Sequence, residues 1–152
     1  MEPSLLSFRL LVVSFGLLAC QQKVPGSYEL DFEETKRAVL ATLEANPAEQ
    51  PRLDETLKML RATRLTIRLL DGGKMETTTE LTDHSVPTPP PRVGTWKQEG
   101  TKVTLALSVG AAEALHRHEK QPDTLCSVDG KRLRCVAPLP EKLFQNYVLV
   151  RK

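Results

Sequence analysis

Aromatic residues are scarce in this chain. They make up 5% of its 152 positions, with one Trp, two Tyr and four Phe. None sits in a basic-aromatic cluster of the kind that stacks nucleic-acid bases. Charge of one sign is scarce too: 21 Lys and Arg face 19 Asp and Glu, for a net +2. That balance supplies no electrostatic footprint for DNA or RNA, so no nucleic-acid partner is expected. Long apolar runs are absent: the longest, Leu10–Leu18, is about half of the ~20 residues a membrane-crossing helix needs. G-x-S-x-G, H-E-x-x-H, a Gly-rich phosphate loop and C-x-x-C are all missing, which removes the common hydrolase, metalloprotease, nucleotide and thiol-redox chemistries. The acids Glu33-Glu34 and Asp54-Glu55 are adjacent in sequence and read as solvated helix faces rather than a paired-carboxylate site. No catalytic residue, no enzyme activity and no cofactor are expected.

What is present begins at the N-terminus. Leu10-Leu11-Val12-Val13-Ser14-Phe15-Gly16-Leu17-Leu18 suits the h-region of a signal peptide, with Arg9 as the one basic side chain before it. The run ends at Leu17-Leu18-Ala19-Cys20 and turns at once to polar Gln21-Gln22-Lys23. This stretch resembles the lipobox of bacterial lipoproteins. The resemblance implies cleavage of residues 1–19, a diacylglycerol thioether on Cys20 and an acyl chain such as palmitate on its new amino group. Acyl chains contribute ~0.8 kcal/mol per buried CH₂, and two or more anchor a protein stably. By the sorting rule of that family, a residue other than Asp at Gln21 implies the outer membrane, with the protein facing the periplasm. The competing reading is an ordinary signal peptide whose Cys20 pairs with another cysteine.

With Cys20 lipidated, Cys126 and Cys135 remain, in an oxidising compartment where disulfides persist. They flank Asp129-Gly130, a strong hairpin signal between two alternating runs. Side chains alternate faces along a strand, so Cys126 and Val128 share a face, as do Leu133 and Cys135. A four-residue loop, Asp129 to Arg132, sets the two cysteines directly opposite. A two-residue loop at Asp129-Gly130 makes them diagonal neighbours, which are harder to bridge. A structural disulfide is expected, since C-x₈-C is not redox-motif spacing.

Periodicity organises the rest. Residues 20–25 read as a lipidated tether and 26–152 as a single domain. Gly26-Ser27-Tyr28-Glu29-Leu30 reads as a first strand. Asp31 then has the place of an N-cap, with Glu34 completing a capping box. Phe32, Val39, Leu40 and Leu43 form a helical stripe that Asn46-Pro47 ends. Pro51 is placed to open a second helix with Leu53, Leu57 and Leu60 buried. From Ala62 the period becomes two. Leu65, Ile67 and Leu69 lead to a turn at Asp71-Gly72-Gly73, and Met75, Thr77, Thr79 and Leu81 return. Pro87 to Pro91 is a stiff connector, or a proline-recognition ligand. Trp96 and the run Val103, Leu105, Leu107 form the next hairpin. A two-residue loop at Glu99-Gly100 would pair Trp96 with Val103 and Gly94 with Leu105. Ala111 to Gln121 reads as a short helix or loop, and Phe144 to Val150 as a closing strand. The order is one strand, two helices, then about seven strands joined mostly as hairpins. The fold class is therefore α+β, mainly antiparallel β: a curled sheet or small barrel with two helices inserted after the first strand.

Three stretches together form a pattern: Gly26 to Asp31, Leu65 to Gly73, and Gly94-Thr95-Trp96-Lys97 with Gly100 to Leu105. It resembles the small lipocalin-like domains of bacterial envelope lipoproteins, over most of the stretch from Gly26 to Val150. The resemblance implies a small β-barrel or half-barrel, and the two helices after Asp31 depart from a plain lipocalin. Fold alone does not carry function. The leading expectation is a non-enzymatic, membrane-anchored lipoprotein binding a hydrophobic small molecule or lipid, with Tyr28, Trp96, Val103 and Leu105 lining or flooring the cavity. The alternative is an envelope protein–protein interaction module with a filled core. His84, His116 and His118 are the only cluster resembling metal ligands. His116 and His118 converge only in an extended segment, and a fourth ligand is missing, so surface histidines and no metal are expected. Lys131, Arg132, Arg134, Lys142, Arg151 and Lys152 gather late in the chain. They read either as an ordinary soluble surface or as a face for anionic lipid heads or an envelope polymer.

Overall fold

The computed structural model describes residues 23–82, 87–108, 122–139, 143 and 145–152. Strand β1 (Gly26–Leu30) is followed by helix α1 (Phe32–Ala45), a 3-10 segment (Pro47–Arg52) and helix α2 (Leu53–Ala62). Seven strands follow: β2 (Thr63–Leu69), β3 (Lys74–Leu81), β4 (Arg92–Glu99), β5 (Lys102–Leu107), β6 (Thr124–Asp129), β7 (Arg132–Val136) and β8 (Asn146–Arg151). Each pairs antiparallel with its neighbour in sequence, and β8 pairs back with β1 to close the barrel. Of the curled sheet and the barrel, the chain forms the barrel, which leaves no sheet edge unpaired.

An up-and-down barrel sends alternate connections to opposite ends. One end, the turn end, carries the tight turns β2–β3, β4–β5 and β6–β7 together with the start of β1 and the end of β8. The other, the loop end, receives the two helices between β1 and β2 and the connections β3–β4, β5–β6 and β7–β8. Pro87 to Pro91 lies in one of these connections and is exposed. Ala111 to Gln121 and Phe144 are outside the described residues.

Binary patterning explains the strands. Leu65, Ile67 and Leu69 stand opposite Thr79, Thr77 and Met75 across β2–β3, and all six positions point inward. In the next hairpin the register differs from expectation. Trp96 pairs with Leu105, Gln98 with Val103 and Gly94 with Leu107, because the two-residue loop is Gly100-Thr101. Gly100 has φ +63 and Gly130 has φ +59, a left-handed conformation that glycine reaches without steric cost. Each therefore takes the first loop position, one residue later than the Glu99-Gly100 and Asp129-Gly130 loops. The shift moves Trp96 by two partners and keeps its face inward. In the β6–β7 hairpin it sets Cys126 directly opposite Cys135 around a loop of Gly130-Lys131, and the two are joined by a disulfide.

Helix α1 covers the outside of β8. Asp31 caps α1 by accepting from the Glu34 amide at 3.1 Å. The reciprocal half of the capping box is not made, because the Asp31 amide donates to the Val148 carbonyl at 2.8 Å. The Glu34 carboxylate instead meets Arg37 and Arg134. Thr35 is buried, and its hydroxyl accepts from the Val148 amide at 3.0 Å. Together these bonds fix the docking angle of α1 on β8. Val148 and Leu149 are both buried, which is why β8 reads as a continuous apolar run. Val39, Leu43, Leu60 and Leu143 form a second core under the helices. Leu40 lies off that stripe and is exposed, while Phe32 is half-buried with the Arg61 guanidinium 5.4 Å from its ring centre. Pro51 falls inside the 3-10 segment, so α2 starts at Leu53 rather than at the proline. Among the described residues no helix is long and apolar enough to cross a membrane.

Candidate ligand cavity

The barrel interior has two unlike halves. The turn-end half is solid. Leu69, Val103, Leu133 and Leu149 are at most 2% exposed there, packed with the Cys126–Cys135 bridge. Tyr28 is buried in this half, and its hydroxyl donates to the Val24 carbonyl at 2.7 Å. Trp96 packs against the same cluster, and its indole N–H donates to the Leu70 carbonyl at 2.8 Å. Both polar tips thus find backbone acceptors, as buried Tyr and Trp require. Val24 itself is 0% exposed and belongs to the core. Arg151 holds the same segment, donating to the carbonyls of Lys23 at 3.0 Å and Pro25 at 2.7 Å. The fold's grip on the chain therefore reaches back to Lys23, within the stretch read as tether.

The loop-end half contains a cavity of about 200 Å³. Ile67, Met75 and Leu105 are buried in its wall, Leu65 and Leu107 are half-buried around it, and Pro122 is exposed. Its polar lining is Thr77, Thr79, Arg92, Thr124 and Tyr147. Thr77 and Arg92 are register partners on β3 and β4, so their side chains leave the sheet on one face, side by side. Thr77 is only 9% exposed, and its hydroxyl oxygen has no hydrogen-bond partner among the described residues. Across the cavity, Tyr147 and Thr124 hydrogen-bond to each other. Burial pushes the Tyr147 phenol above its ordinary value, and the Thr124 bond partly offsets this. Arg92 is the only charged lining residue among those described.

Of the four residues expected to line a cavity, Leu105 does so. Tyr28, Trp96 and Val103 sit in the solid half. Thr77, Arg92, Thr124 and Tyr147 went unread in the sequence. The available signal was the pair Thr77 and Thr79, small polar residues at inward positions of a strand otherwise facing an apolar core. Cys20, His84, His116 and His118 lie outside the described residues, and no group of three metal-ligating side chains occurs among those described. The late basic residues mostly meet partners in the fold. Arg132 faces Asp31, Arg134 faces Glu34 and Asp129, and Lys152 faces Glu29. Lys142 is outside the described residues. No family model matches the chain, and neither a curated protein nor a solved structure matches it.

Proposed function

We propose that this is a non-enzymatic lipoprotein of a bacterial cell envelope that binds a small apolar molecule in the loop-end half of a lipocalin-like barrel. The observation that carries the reading is the division of the interior: one half packed solid, the other hollowed to about 200 Å³ over an apolar floor. Protein interiors are otherwise close-packed, and a void of that size forfeits contacts. A concave apolar site with a few polar groups is the usual form of a small-molecule pocket. An engineered cavity of ~150 Å³ takes benzene, so the volume here suits a compact molecule rather than a whole lipid chain.

The anchor on Cys20 is supported by the lipobox-like leader and by the use of both other cysteines in one bond, so neither is available to Cys20. If Cys20 is lipidated, at most ~11 Å of chain separates it from Lys23, at ~3.6 Å per residue. The clamped segment then holds the turn end against the outer-membrane surface, and the cavity faces the periplasm. A ligand would enter from the aqueous side.

The test is to purify the full-length protein from membranes in mild detergent and weigh it under native and denaturing conditions. The reading expects a mass gain on Cys20 that survives denaturation, and a small adduct that is lost on denaturation. An unmodified mass overturns the anchor. A bare native mass that no added small apolar molecule increases overturns the binding role and favours a docking module.

A further inference from the structure

We propose that the cavity selects small carboxylic acids with a short hydrocarbon body, the carboxylate seated between Arg92 and Thr77. This rests on the small-molecule reading above and adds the chemical class. The argument begins with Thr77. Its side chain lines the cavity, is nine-tenths buried, and has no partner for its hydroxyl among the described residues. A buried hydroxyl left unpaired is costly, and such groups are exceptions that call for a cause. Valine would fill the same space without the cost. A threonine here is explained when a bound molecule accepts its O–H.

Arg92 fixes the charge of that molecule. It stands opposite Thr77 in the β3–β4 register, lines the same cavity, and brings the only formal charge among the described lining residues. Arg92 also has an interaction of its own within the fold; a guanidinium offers five N–H donors, and the carboxylate would take donors which that interaction does not use. Carboxylates match that planar fork. The opposite wall presents no unpartnered hydroxyl among the described residues, since Thr124 and Tyr147 share a hydrogen bond. Away from the polar pair, Ile67, Met75, Leu105 and Leu107 offer only apolar surface. A molecule of about eight non-hydrogen atoms, slightly larger than benzene, fits the volume. Hexanoate has that size and polarity.

The experiment titrates hexanoate, 1-hexanol and hexylammonium into the full chain carrying Cys20→Ser, by calorimetry, and repeats this with Arg92→Gln and Thr77→Val. Hexanoate should bind at least tenfold more tightly than hexanol, and hexylammonium should bind most weakly. Arg92→Gln should weaken hexanoate about tenfold and leave hexanol within twofold. Thr77→Val should weaken hexanoate several-fold and raise the melting temperature of the unliganded protein. Equal binding of hexanoate and hexanol, unmoved by Arg92→Gln, overturns the carboxylate class while the apolar pocket stands. If none of the three binds, the small-molecule reading falls and the proposal with it. Should Arg92→Gln fail to fold, Thr77→Val decides: unchanged hexanoate affinity with no gain in stability overturns the assignment.

Discussion

The hydroxyl of Tyr28 donates to the carbonyl of Val24 across 2.7 Å, four residues back along the chain. That bond, with the two from Arg151, turns the approach to β1 into part of the barrel's turn-end core. Val24→Ala should cost about 2 kcal/mol, from two buried methyl groups and the space they leave. Tyr28→Phe should cost about 1 kcal/mol for the lost bond. Urea unfolding checks both. A Val24→Ala protein as stable as the parent would mean that the segment is not held.

The disulfide closes a short loop, its cysteines nine positions apart in sequence. In the chain-entropy treatment such a loop adds about 2–3 kcal/mol. The bridge is buried in the solid half, with Cys126 and Cys135 5% and 2% exposed. The Cys126→Ala, Cys135→Ala double variant should lose that amount and should leave ligand affinity within twofold. Alkylation of both thiols in native oxidised protein, without reductant, would contradict the bond.

Both tyrosines of the chain should titrate late. Burial pushes the Tyr28 and Tyr147 phenols up, against smaller opposing effects of Arg151 and Thr124 respectively. The unfolded value is about 10. A group raised on folding binds more protons in the native state, so its contribution is complete below pH ~10 and is lost as pH climbs through the higher folded value. Ultraviolet titration should place both tyrosine midpoints above pH 10, with stability lost as they ionise. A tyrosine ionising at or below its ordinary value would contradict the burial.

Gly94 should tolerate no side chain. A Cβ there would collide with the Ala106 carbonyl and lie 2.8 Å from the Met75 terminal methyl. Overpacking of this kind costs ~1–3 kcal/mol. Gly94→Ala should therefore melt lower and, because Met75 lines the cavity, should weaken ligand binding. An unchanged melting temperature would show that the β4–β5 ladder yields.

The strands were legible because burial on one face enforces alternation, and the hairpins because Gly100 and Gly130 mark their turns. Loop position was less legible. A glycine fits either central loop position, and choosing the second pairs Trp96 with Val103 in place of Leu105. That error preserves faces, so the core was readable while the partners were not. Val24 was hidden by its polar neighbours Gln21-Gln22-Lys23, and nothing local reveals that Arg151, far along the chain, reaches back to its flanks. The cavity was least legible. Tyr28, Trp96 and Val103 are inward residues, as read, but inwardness does not say toward which end of a closed barrel a side chain packs. That depends on the strand directions and on which half the bulky residues fill. Thr77 and Arg92 come together only through the β3–β4 register, across a connection the sequence does not fix.

Methyl-resolved NMR of the full chain carrying Cys20→Ser, saturated with hexanoate, tests the central claim most directly. Intermolecular Overhauser contacts should reach Leu65, Ile67, Leu105 and Leu107 and should be missing at Leu69, Val103 and Leu133. Contacts to the exposed Leu125 and Val136 on the outer face, or none to the loop-end residues, would contradict a ligand seated inside the barrel.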